Sequence, residues 1–128
     1  MDAPAFENLD LACARTGQAI AEKPSKELEK LVTSALAVLE EQGVYALFLF
    51  LKTRGGKAAL TIEQKVREFL KTTPQRAPLL SGDGDVFALL QSMSEDLDKL
   101  LLARDLLRQT LVYARYHARG PQKSESRT

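Results

Sequence analysis

Four arginines near the end of the chain, Arg104, Arg108, Arg115 and Arg119, have a spacing suited to one side of a helix. At about 100° per residue they span roughly 60° of arc, on a stripe some ~20 Å long. Guanidinium forks match phosphate oxygens, so such a stripe could follow several phosphates of a nucleic-acid strand. A second cationic group, Lys52, Arg54 and Lys57, surrounds Gly55-Gly56. A glycine pair lets backbone amides and cations approach a phosphate closely. Both groups also have a plainer reading. Leu97, Leu101 and Leu111 share the arginine stripe, so its cations equally suit a packed face, an ion pair or the helix dipole. A Gly-Gly helix exit explains the second group as well. Tyr113 and Tyr116 suit base stacking or ordinary packing.

Catalytic chemistry is harder to assemble. His117 is the only histidine, and a histidine base needs a nucleophile and an orienting group that the sequence does not identify. A half-exposed surface or interface position explains it better. Gly55-Gly56-Lys57 is not a P-loop, because Leu51 stands where that motif requires glycine and Ala58 where it requires Ser or Thr. Gly82-Asp83-Gly84-Asp85 lacks the third oxygen ligand and the distal glutamate of a calcium loop. Acids at a tight turn before a helix account for it. Glu95, Asp96 and Asp98 suit a first helical turn in the same way. No metal, cofactor or catalytic residue is expected.

The 128 residues allow one domain with a sizeable core. Cys13 is the lone cysteine, so no internal disulfide or cysteine zinc cluster can form, and a reducing, cytoplasmic setting is expected. The acidic, mixed start MDAPAFENLD lacks the basic and apolar regions of a secretory signal. The net charge of +1 hides a segregated pattern. Residues 1–51 carry −4, 52–79 carry +5, 80–102 carry −4 and 103–128 carry +4. If the basic blocks meet on one face, that face could bind polyanion while the others meet protein. Alternating solvated helix faces are the plainer explanation.

Turn signals cut the chain into helix-sized pieces. A first helix is expected between Pro4 and Ala21, with Gly17 weakening it. Pro24-Ser25 opens a second, in which Leu28, Leu31, Val32, Ala35, Leu36 and Leu39 recur at three and four until Gly43. The apolar run Val44–Leu51 is far short of the ~20 residues a spanning helix needs. Val44 is its only β-branched residue and no partner strand is available, so residues 44–54 are expected to form a buried helix, apolar all round, with 53–57 as its exit loop. Thr61-Ile62-Glu63-Gln64 reads as a capping box for a helix to Thr72. Pro74 and Pro78 mark a loop, and a short helix should end near Gln91. Ser92-Met93-Ser94-Glu95 reads as a second box opening the longest helix, which Gly120-Pro121 should stop at Arg119. The expectation is an all-α bundle of about six helices with a long C-terminal helix, over residues 1–119, followed by a disordered tail at 120–128.

Two stretches carry a resemblance. Gln42-Gly43-Val44 with Phe48-Leu49-Phe50-Leu51, continued by the basic loop Lys52–Lys57, resembles a pattern in the small α-helical subunit of the Cmr-type (type III-B) CRISPR RNA-silencing complex. Leu111–Arg119 is similar to that family's final helix, with Tyr116 where tryptophan is common. The resemblance implies a non-catalytic subunit. Copies of it stack with one another inside the effector complex, beside the other subunits and the backbone of the guide RNA and target RNA. On that reading Lys52, Arg54, Lys57, Arg104, Arg108, Arg115 and Arg119 contact RNA, and acidic blocks meet basic blocks of the next copy. The open alternatives are the small subunit of a type III-A complex, a helical protein–protein adaptor, and a regulator or enzyme using His117.

Overall fold

A long C-terminal helix lies between two shorter ones, and the rest of the chain is built outward from that trio. The computed structural model describes residues 7–126, with the backbone alone for 121–126. Its elements are α1 (Leu9–Ile20), α2 (Lys26–Gln42), α3 (Val44–Arg54), α4 (Lys57–Thr72), α5 (Val86–Ser94) and α6 (Leu97–Ser126). No strand occurs among the described residues, so the all-α bundle with a long C-terminal helix is the fold. No described helix is long and apolar enough to cross a membrane.

α6 packs chiefly on α1 and α2, α2 carries α3, and α3 supports α4 and α5. The apolar periodicity explains this order. All six of Leu28, Leu31, Val32, Ala35, Leu36 and Leu39 are buried, as are Ile62, Val66, Phe69 and Leu70 of α4. Each fully buried leucine stabilises the fold by about 1.5–3 kcal/mol. The Ser25 hydroxyl accepts from the Leu28 amide and starts α2, and the Asn8 side chain does the same for α1 at Leu11. Pro4, where the first helix was expected to begin, lies outside the described residues. Leu79 and Leu80 in the long loop are buried too, a core contribution that periodicity does not flag.

Four local expectations need correction. α4 starts at Lys57, with Gly56 as its N-cap, so Thr61 lies inside the helix. The two glycines alone separate α3 from α4. Both have positive φ and ψ near 180°, a region open essentially to glycine. They turn the chain so tightly that the next helix begins before the box is reached. The second box fails as well. The Ser94 hydroxyl donates back to the Leu90 carbonyl within α5, and Asp96 caps α6 by accepting from the Lys99 amide. α3 is not buried all round: Val44, Leu47, Phe48 and Leu51 face the core, but Leu49 is 43% exposed. Its neighbours cover only one side of it. Finally, α6 continues through Gly120-Pro121 to Ser126. The carbonyl that Pro121 leaves without a donor is that of His117, an exposed residue. Residues 127–128 of the expected tail lie outside the described residues.

Candidate nucleic-acid interface

The α3–α4 turn faces the N-terminal end of α2 across an open groove of about 980 Å³. Arg54 and Lys57 flank the turn on that side, and Lys65 follows two helical turns along α4. Lys23 and Lys30, from the α1–α2 connection and α2, line the opposite wall. Five cations thus meet two acids, Glu22 and Glu27, around one trough. Ile20, Leu28, Leu31 and Ala59 are buried at its base. The first turn of α4 has no side-chain cap and no acid. Its leading amides therefore lack intrahelical acceptors and add partial positive charge.

This assembly differs from the one the sequence points to. Lys52 is absent from the groove, because its ammonium lies 5.3 Å from the centre of the Phe87 ring on α5 in a cation–π contact. The sequence does not single out Lys23 and Lys30, which belong to a net-acidic block, or Lys65, which lies eight residues beyond Lys57. Helical geometry separates that block into faces. The Glu29 carboxylate turns to α6, where it meets Arg119, whereas Lys30 lies on the groove side.

The arginine stripe runs along the opposite flank of α2, so the two cationic groups straddle that helix. Arg119 Nε donates to Glu29 Oε2 at 2.8 Å, and its guanidinium carbon is 5.9 Å from the Tyr116 ring centre. Arg104 Nη2 donates to the Glu40 carbonyl at 2.9 Å, near the end of α2. Leu111, on the same stripe, is fully buried. The four arginines therefore border a packed seam. Its two ends are held by α2, while Arg108 and Arg115 have no hydrogen-bond or ion-pair partner among the described residues.

The remaining candidates are placed as follows. The Tyr113 hydroxyl donates to Asp10 Oδ1 at 2.8 Å, and this bond raises its pKa. Tyr113 is thus engaged with α1, whereas Tyr116 is 60% exposed. His117 is exposed beside Tyr116 and Arg15 in a shallow cavity between the ends of α1 and α6, and it makes no hydrogen bond to a described residue. Cys13 is fully buried, its thiol donating to the Leu106 carbonyl at 3.3 Å, and burial pushes its pKa up. Among the described residues, no three of His, Cys, Asp and Glu gather closely enough to hold a metal ion. The groove can hold polyanionic backbone by charge and amide donation. Comparison with family models, with characterised proteins and with solved structures finds no match for this chain.

Proposed function

We propose that this chain is a non-catalytic helical subunit of a cytoplasmic, antiviral RNA-guided ribonucleoprotein of the type III-B CRISPR class, and that it holds RNA through phosphates. One observation carries the reading: two separate segments of sequence deliver five cations and an uncapped helix start to a single groove. The basic turn after α3, which carries the family resemblance, forms one wall of that groove. On this reading contact is with the phosphate backbone, which positions a strand without reading its sequence. The other subunits of the complex supply guide, target and any cleavage.

Salt-dependent binding of single-stranded RNA tests this. Each phosphate contact contributes about 0.7 to the logarithmic salt slope. Lys30→Glu with Lys57→Glu should lower that slope by about 1.4, with the helical circular dichroism unchanged. An unchanged slope, in the free chain and in the assembled complex, would remove the groove from RNA binding. Retention of those variants in a complex that no longer protects its RNA at this subunit would support it.

A further inference from the structure

The outward face of α6 carries a pattern that the groove does not use and the core uses only through one edge of Val112. Asp98, Leu101, Asp105, Arg108, Val112 and Arg115 recur at intervals of three, four, three, four and three. At about 100° per residue they stay within roughly 100° of arc. Leu97 and Tyr116 bracket this seam. α1 meets α6 on one side, through Leu106 and Tyr113. On the other side Arg104 reaches the Glu40 carbonyl of α2, and Arg119, beyond the end of the seam, reaches Glu29. Leu97, Leu101 and Tyr116 are 64%, 47% and 60% exposed. Asp98, Asp105 and Arg108 are exposed, and Val112 and Arg115 half-buried.

The spacing reads the same in both directions, and the chemistry inverts. Both acids lie in the first half of the seam and both bases in the second. We infer that this face binds a second copy of the chain, α6 against α6, antiparallel about a two-fold axis passing between residues 106 and 107. In that register Asp98 meets Arg115 of the other copy and Asp105 meets Arg108. Leu101 meets Val112, and Leu97 covers the ring of Tyr116. Each pair occurs twice, as an isologous contact requires. A parallel pairing would set Asp98 against Asp98 and Arg108 against Arg108, so charge selects the antiparallel arrangement. The contact is about 28 Å long, with room for helix axes at the usual ~8–10 Å. It closes on itself and so makes a pair, in contrast to the open-ended stacking that the resemblance implies. It stands independently of the RNA groove and gives Arg108 and Arg115 a protein partner.

Sedimentation equilibrium of the full chain over a wide concentration range tests the pairing. Wild type should show a monomer–dimer equilibrium with no larger species. Asp98→Arg with Asp105→Arg, and separately Arg108→Asp with Arg115→Asp, should each weaken self-association at least about tenfold. An equimolar mixture of the two variants should restore a dimer, because all four charge pairs reform between unlike copies. Oxidation should link Leu101→Cys to Val112→Cys in a mixture but neither variant to itself, the native Cys13 being buried. Wild type that stays monomeric, grows into open chains, or is not rescued by the mixture overturns the proposal. So does a dimer that survives Arg108→Asp with Arg115→Asp while RNA affinity falls. Groove variants that lose RNA but keep the dimer would separate this surface from the groove.

Discussion

Gly17 of α1 and Thr110 of α6 meet backbone to backbone. A β-carbon at position 17 would stand 2.8 Å from the Thr110 carbonyl oxygen and 2.9 Å from the Ala114 amide nitrogen. Those neighbours are main-chain atoms of a helix and cannot swing aside. The glycine that weakens α1 as an isolated helix is therefore what lets α1 seat on α6. Thr110 is itself fully buried, its hydroxyl donating to the Leu106 carbonyl.

Gly17→Ala should accordingly destabilise the protein. Alanine favours an isolated helix by about 1 kcal/mol, but overpacking against fixed backbone costs about 1–3 kcal/mol, so the net sign is a loss. Urea unfolding should show a lower midpoint at unchanged slope. A stabilised variant would mean that the helices do not approach this closely.

Gly55 makes a contrasting case. A β-carbon there would meet nothing within 4 Å, yet φ is +67° with ψ 179°. Gly55→Ala should cost about 1–3 kcal/mol through backbone strain alone. It should also weaken RNA binding by re-aiming Arg54 and Lys57. Stability and salt slope measured on one sample would show both effects, and loss of neither would contradict the tight turn.

The arginines held by α2 should behave differently from the groove cations. Arg119 and Glu29 are both partly exposed, so Arg119→Ala should cost no more than about 1 kcal/mol. Arg119→Ala and Arg104→Ala should leave the RNA salt slope near its wild-type value, whereas Lys57→Ala lowers it. Equal drops in all three would return the whole arginine stripe to phosphate binding.

Cys13 should resist thiol reagents in the folded protein. Burial disfavours the thiolate, raising the pKa, and the side chain is inaccessible. Labelling by Ellman's reagent should follow separation of α1 from α6 and accelerate with urea. The folded thiol binds its proton more tightly than the unfolded one. Its contribution to stability is therefore intact below the ordinary thiol pKa of about 8.5 and declines as pH rises through the folded value. Cys13→Ala should flatten that part of the alkaline stability profile. The raised Tyr113 phenol acts in the same direction at higher pH, so Tyr113→Phe separates the two.

What the sequence alone determined is whatever depends on near neighbours in the chain. The period of three and four fixed the buried faces of α2 and α4, Ser25 marked the start of α2, and Gly43 its end. The apolar run at 44–51 was legible as a helix because no strand could pair with it. Local signals failed where two were available and packing chose between them. Asp96 outcompeted Ser92 as a cap once Ser92 and Ser94 were taken into α5, and the glycine pair started α4 ahead of Thr61. The fate of the charges was decided by the tertiary structure. Glu29 is the chain neighbour of Lys30, yet its carboxylate turns to α6 and pairs with Arg119. Turning that acid toward α6 leaves Lys23 and Lys30 facing Arg54, Lys57 and Lys65. A helix sorts adjacent residues onto different faces, and only the docking of its neighbours decides which face keeps its charge.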